Sequence, residues 1–438
     1  MKKTFSLVLL AVFTIAFSQK KWSLQECVDY AEKNNLQVIS NQYSTDIQAK
    51  NLEIAKRQKL PSVSGNINNN ADFGQGRDYI GQSVRTDAFN NNTSIGANVE
   101  LYNNGRLRKS AEKSQYDLDA SLLDAEKVKN DISLNIAQQY LQVLLNKEVK
   151  KITDESVAKE EKVLTRAKIT TKVGTTPKTI EAEATASLAR EKQKQKSAEI
   201  DIQRSLFSLA MLLQLKDYKA FDVQEVPLPN LLDAPLSSTD NIVEKAFDNQ
   251  PQIKAAETRI LSAQKQIEIA KTAFYPSISA SAGVGTSYYD YFSSSKDVGF
   301  FKQYQDKFGQ QVGVSANIPI FNKGITKLQV EQAKISENSA KNSLEMQKVE
   351  VQQNVQKAYF DANANYENYL AALEAEKSTK LALDFAGKSY EAGKTTIYDL
   401  NMARNNYVNA QGSVSQAKYN YIFSMKLLNF YAGIPISL

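Results

Sequence analysis

The chain has 438 residues, with 54 Lys and Arg against 48 Asp and Glu, a net charge of +6, one cysteine and no histidine. A lone cysteine excludes an intrachain disulfide, and the lack of histidine removes the usual ligands of zinc sites and the usual bases of hydrolytic triads. The charge is mild, and Lys and Glu are interspersed along helical segments, which describes solvated faces and not a nucleic-acid footprint.

Residues 1–18 read as a secretory signal peptide. Lys2 and Lys3 precede an apolar run over residues 7–17, and Ala16 and Ser18 place small residues before a cleavage site. That run is too short to span a membrane as a helix, and no later segment reaches about 18 apolar residues, so any membrane crossing falls to strands. Ser23 and Glu26 form a capping box for a helix that runs to about Leu60, interrupted at Asn34 and Asn35. Cys27 lies on its apolar face as a small buried side chain.

Pro61 ends that helix and opens a strand over about residues 61–73. A loop rich in Gly, Asn and Asp over residues 74–90 leads to a second strand over about 92–102. There Ile95, Ala97, Val99 and Leu101 alternate with Ser94, Gly96, Asn98 and Glu100, which gives one oily and one wet face. From Gly105 to about Thr171 no Pro or Gly interrupts a run of about 67 residues, roughly 100 Å of helix. Leu118, Leu122, Ala125, Ile132, Ile136 and Val143 recur in it at coiled-coil spacing. Val173-Gly174-Thr175-Thr176-Pro177 is a turn, and a helix returns from about Lys178 to Leu215. Residues 216–237 break the pattern with Pro227, Pro229 and Pro235, and 221–237 is taken as a connector.

The order then starts again. A helix ends at Tyr275-Pro276, strands follow over about 276–292 and 310–321, and Asn322-Lys323-Gly324 matches Asn103-Asn104-Gly105. A second long helix runs to Tyr390, EAGKTTIYDL turns the chain, and a last helix reaches about Tyr431. Residues 19–220 and 238–438 are thus two copies at an offset of roughly 215–219 residues. In the second hairpin Ile278, Ala280, Ala282 and Val284 alternate with Ser277, Ser279, Ser281 and Gly283. Aromatic residues crowd its limb ends, among them Phe274, Tyr275, Tyr288, Tyr289, Tyr291, Phe292 and Phe321, as in belts at lipid–water boundaries. About four such strands leave two raw edges, so strands that cross a membrane must close a barrel with those of other chains. The alternative is an ordinary half-buried sheet in a soluble domain.

The opening SLQECVDYAEKNN, the joints KLPSVSGNI and FYPSISASA, the strand ends VELYNNG and IPIFNKG, and the turn AGKTTIYDL stand in duplicated order over nearly the whole chain. In this the sequence resembles the TolC family of outer-membrane efflux and secretion channels. The resemblance implies a mainly α fold with membrane β: long coiled-coil helices and β-hairpins in tandem repeat, forming a trimeric α-barrel and β-barrel tunnel. Each chain would give four strands to a twelve-stranded barrel in the outer membrane of a Gram-negative bacterium. The helices would cross the periplasm, and the connector would belt them. It further implies a passive duct with no cofactor, the outer component of a tripartite efflux pump or type I secretion system. Its partners would be a periplasmic adaptor and an inner-membrane pump.

By the same resemblance Gly174, Thr175, Thr176, Gly393, Lys394, Thr395 and Thr396 lie at the periplasmic mouth, where the adaptor docks. The other reading of these residues is a pair of helix C-caps. Asp399 matches the position whose carboxylates ring the narrowest point, where three copies would favour cations. Tyr390 matches an aromatic of the closing network. The sequence departs from the family at Met402, where a second acid is usual, at Thr395, where some members carry a basic residue, and at Ile180, which replaces the acid in the first copy. Asp399 also reads as a plain surface carboxylate near a helix N-terminus. No enzyme motif appears, since Gly74-Gln75-Gly76 lacks the helix and lysine of a phosphate loop. A secreted coiled-coil scaffold or adhesin is the competing function, and it leaves the two girdled hairpins unexplained.

Overall fold

A computed structural model describes residues 21–77, 80–226, 238–292 and 298–434. The expected signal peptide and the prolines of the connector lie outside these residues. The first copy holds β1 (Lys21–Trp22), α1 (Leu24–Asn34), α2 (Leu36–Arg57), β2 (Ser62–Asp72), β3 (Gln75–Arg77), β4 (Ser83–Arg85), β5 (Ala88–Tyr102), α3 (Arg106–Lys172), α4 (Lys178–Leu212) and β6 (Asp222–Val223). The second holds α5 (Thr239–Asn249), α6 (Pro251–Thr272), β7 (Ser277–Tyr291), α7 (Phe300–Asp306), β8 (Gly309–Asn317), α8 (Ile325–Glu391) and α9 (Ile397–Tyr431). The duplication is visible in helix lengths: 11 residues for α1 and α5, 22 for α2 and α6, 67 for α3 and α8, and 35 for α4 and α9.

Three details differ from the sequence reading. The segment expected as a loop over 74–90 holds the short β3–β4 hairpin, and β5 begins at Ala88. Asn90 and Asn91, ahead of the expected strand, pair with β2 although they carry no apolar alternation. The loop of the second hairpin contains α7, and β8 ends at Asn317, short of Phe321.

The chain divides into two compact units. Ser44–Leu122 and Ala255–Leu344 make one, built around a four-stranded antiparallel sheet in the order β2-β5-β7-β8. Its register stacks like on like. Val63 pairs with Ala97 and Ala97 with Ala282, while Ile95 pairs with Val284 and Ala280 with Val314. Because strand side chains alternate faces, these residues share one face, and Ser64, Ser94, Asn98, Ser279, Ser281 and Ser315 share the other. The aliphatic part of the apolar face is open among the described residues: Val312 is 86% and Val314 70% exposed. At the sheet margins β2 and β8 each have a neighbour on one side only among the described residues.

The other unit comprises the segment ending at Tyr43 with Leu123–Lys254 and Glu345–Leu438. Ser23 caps α1: its N–H donates to Glu26 Oε2 (2.9 Å) and its Oγ accepts from the Glu26 N–H (3.2 Å). The apolar face of α1, with Leu24, Cys27, Val28 and Ala31, packs on Ile132, Ile136, Tyr140 and Val143 of α3 and Leu209 of α4. Burial, with the Glu26 carboxylate nearby, pushes the Cys27 thiol up to about 12, so it is an inert packing group. The Tyr140 hydroxyl donates to the carbonyls of Trp22 (3.1 Å) and Gln224 (2.7 Å), which fastens the parallel pair β1 and β6 to α3. Among the described residues no helix is long and apolar enough to cross a membrane.

Tyr140 is fully buried, and its ring fits where its hydroxyl has no replacement. Tyr140→Phe is expected to cost about 1–2 kcal/mol, seen as a lower thermal midpoint of the detergent-solubilised protein with unchanged helix content by circular dichroism.

Candidate functional site

The residues singled out at the two interhelical turns fall on α3–α4 and α8–α9. Gly174 has φ of 79° and Gly393 of 68°, conformations that cost a side chain but not glycine. Each sits in the same cap. The Gly174 N–H donates to Thr171 O (3.1 Å) and the Thr175 N–H to Thr170 O (3.0 Å). The Gly393 N–H donates to Tyr390 O (3.0 Å) and the Lys394 N–H to Ser389 O (2.9 Å). These paired bonds are a Schellman motif, so the C-cap geometry is present at both turns.

Beyond the glycines the turns diverge. In the first, Pro177 stands at the N-cap of α4 and makes no side-chain cap bond. Hydroxyls hold that turn instead: Thr175 Oγ1 donates to Thr170 O (2.9 Å) and Thr176 Oγ1 to Thr170 Oγ1 (2.9 Å). In the second, Thr396 and Asp399 form a capping box at the start of α9. Asp399 Oδ2 accepts from Thr396 Oγ1 (2.6 Å), Thr395 Oγ1 (2.9 Å) and the Thr396 N–H (3.2 Å). The Thr396 hydroxyl, then the Thr395 hydroxyl and the Thr396 amide, hold its carboxyl below the usual aspartate range. Tyr390 lies apart from this box. It packs with Ile180 against Ala167, Ala184 and Ile397, a small apolar cluster that ties all four helix ends together.

The residue pattern gave no sign of a buried charge network farther along the helices. Glu160 of α3 is 1% and Arg404 of α9 7% exposed, and the two form an ion pair. Arg404 also donates to Asn401 Oδ1 (3.1 Å), while Glu160 Oε2 has no hydrogen-bond partner among the described residues. Beside them the buried Glu191 of α4 accepts from Ser156 Oγ (2.9 Å) and Lys194 Nζ (2.8 Å), and Lys194 reaches Asn405 (3.2 Å). Burial lowers the Arg404 pKa, but a guanidinium stays charged at any working pH. Next to this network a groove of about 760 Å³ is lined by Lys159, Lys162, Arg166, Lys380 and Lys388, with Asp384 and Glu391 as its acids. Among the described residues no cluster of acids and cysteine could hold a metal ion.

The model of the outer membrane efflux protein family matches residues 28–213 and 242–433. TolC of Escherichia coli is 30% identical over 199 residues, which span 42% of this chain and 40% of that protein. The outer membrane efflux protein BepC of Brucella suis is 24% identical over 406 residues, 91% of this chain and 83% of that one. The outer membrane channel CmeC of Campylobacter jejuni shares the fold, with a TM-score of 0.75 at 20% identity over 94% of this chain and 85% of that one.

Two outcomes follow from the geometry. Arg404→Met leaves Glu160 buried and unpaired and is expected to cost about 3–5 kcal/mol, whereas Glu160→Leu with Arg404→Met recovers most of that, a difference read from the thermal midpoints. Thr396→Ala should raise hydrogen exchange at the Asp399 amide about fivefold, for a cap worth about 1 kcal/mol. The share due to the Asp399 charge is present above an ordinary aspartate pKa of about 3.9 and disappears as the pH falls through its lowered value.

Proposed function

The chain belongs to the outer membrane efflux protein family, and from that premise we propose that it is the outer-membrane channel of an export system. In this reading three copies close one barrel. The observation that carries it is the sheet: the aliphatic stretch of one face, with Ile95, Ala97, Val284, Val312 and Val314, is open, the other face is mainly Ser, Asn and Gly, and both margins lack a partner among the described residues. In lipid such margins must be satisfied, and only closure does so. The four strands are all antiparallel, so β2 and β8 run in opposite directions. The β8 edge of one copy therefore meets the β2 edge of the next in antiparallel fashion, and three copies give about twelve strands, an even number within the range of such barrels. The polar face then lines a wet lumen, and the helices continue it across the periplasm.

The turns at Gly174, Thr175 and Thr176 and at Gly393, Lys394, Thr395 and Thr396 form the periplasmic mouth, where the adaptor of an inner-membrane pump docks. The Lys-rich groove beside them suits an acidic surface on that adaptor. Asp399 supplies the carboxylates of the constriction, and Tyr390 helps to hold it closed. The protein is a duct and not an enzyme: the driving force comes from the pump, and the cargo is chosen there.

Purified protein in a planar bilayer is expected to give discrete conductance steps with a cation-shifted reversal potential. Asp399→Asn should move that potential toward zero while conductance persists. Absence of any conductance, from a chain that stays monomeric and soluble without detergent, would overturn the channel. Unchanged selectivity in Asp399→Asn would remove Asp399 from the constriction.

A further inference from the structure

The helix α7 sits in an unexpected place for a loop element. Its Tyr304 hydroxyl shares a hydrogen bond with Thr93 Oγ1 (2.8 Å) and donates to Asn91, and Thr286 Oγ1 donates to the Tyr304 carbonyl (2.8 Å). Thr93 and Thr286 are paired in the sheet two residues beyond the pair Ile95 and Val284. Alternation therefore puts α7 against the apolar face, at the end where that face turns from aliphatic to polar.

Gln303 fixes the helix there. The pairing of β7 with β8 stops at Gly285, so among the described residues no strand lies beside the outer edge of β7 beyond it. The buried Gln303 carboxamide takes the place of that strand: its Oε1 accepts from the Tyr289 N–H (3.1 Å) and its Nε2 donates to the Tyr289 carbonyl (2.9 Å). Held this way, α7 extends an aromatic row. Ring centroids are 6.2 Å apart for Phe89 and Tyr288, 5.0 Å for Tyr288 and Phe300, 4.4 Å for Phe300 and Tyr304, and 5.5 Å for Phe300 and Phe301. The row does not close into a core. Phe301 is 83% exposed, and Phe308 just past the helix is exposed as well.

We propose that α7 is a lipid-seated anchor. It lies at the boundary between headgroups and acyl chains, in the leaflet at the loop end of the sheet, with Phe301 inserted into lipid. The occupant is lipid and not a protein partner because the aromatic row lies on the same face of the sheet as Ile95 and Val284, with Tyr304 covering the polar Thr93, Thr286 and Asn91 between them. Aromatic residues on a short helix that carries Lys302 and ends at Lys307 also have the make-up of an interfacial element. The inference rests on the channel reading, since it needs the aliphatic face to meet lipid. It adds that the anchor lies outside the strands and that Gln303 sets its height.

The test uses full-length protein in phosphatidylcholine–phosphatidylglycerol vesicles. A nitroxide is attached at Phe301→Cys, with Val314→Cys as the lipid reference and Lys394→Cys as the aqueous one, while the buried native Cys27 takes no label. Collision with oxygen and with a neutral nickel chelate is read by electron paramagnetic resonance. The Phe301→Cys label should show the oxygen-to-nickel ratio of Val314→Cys, and Gln303→Ala should shift it toward the aqueous value. If Phe301→Cys matches Lys394→Cys while Val314→Cys stays in lipid, the anchor is wrong and the channel stands. If Phe301→Cys is shielded from both reagents, a neighbouring subunit covers it and the anchor is again wrong. If Val314→Cys itself meets water, the membrane reading fails and takes the anchor with it.

Discussion

The margins of the four-stranded sheet, unpaired among the described residues, constrain everything else. Each edge residue carries backbone N–H and C=O groups that cost several kcal/mol apiece if left unbonded in hydrocarbon. The apolar face forbids the simple remedy of exposing those margins to water. In the proposed assembly, closure with sister chains meets both demands at once. It also fixes what must lie on each side of the wall, because a strand that offers Ala280, Ala282 and Val284 outward offers Ser279, Ser281 and Gly283 inward. Ser279, Ser281 and Gly283 are small and neutral, which leaves room for solvent, and the charge beside them, Glu100, is paired with Arg106.

Closure by several copies also demands that the two repeats be interchangeable in length. The paired helices meet that demand, with 67 residues in each long arm and 35 in each returning arm. A one-residue mismatch between the arms would rotate one helix by about 100° against the other and misplace its apolar stripe. Helices of this length gain little from propensity alone, so side-chain contacts must hold them in register. The cluster around Ile397 and Ala184 does this near the turns. The Glu160–Arg404 pair does it farther along, because a buried charge tolerates no slip past its partner.

Much of this was legible in the sequence because it rests on periodicity. Alternation over Ile278–Val284 and the unbroken run after Gly105 specify strand and helix wherever the partners are, and Gly174 and Gly393 mark turns that only positive φ allows. What escaped has a common cause. Asn90 and Asn91 lie at the end of the apolar face, where neither side of the strand is oily, so period two vanishes although the ladder continues. The helix α7 is too short for a periodic signal, and its place is set by Gln303 at a strand edge and Tyr304 on the sheet face. Glu160 and Arg404 stand on helices full of Lys, Arg and Glu, where a charge facing another helix looks the same as one facing water. Only the packing of α3 against α9 separates them.

The two turns differ in a way that bears on the mouth. Under the proposed assembly Asp399 of three copies converges near the axis, and like charges brought together push each carboxyl toward its neutral form. The cap works against that push: two hydroxyls and an amide donate to the same oxygen and favour the ionised state. Asp399 can thus serve as helix cap and constriction charge together, the first role keeping the second ionised at neutral pH. The first repeat has Ile180 at the matching position and Pro177 in place of the capping Thr396. With no cap there, a carboxylate at 180 would face the same repulsion without the compensating bonds. The substitution by an apolar residue that packs against Ala184 is therefore consistent with a ring that carries one charge per chain.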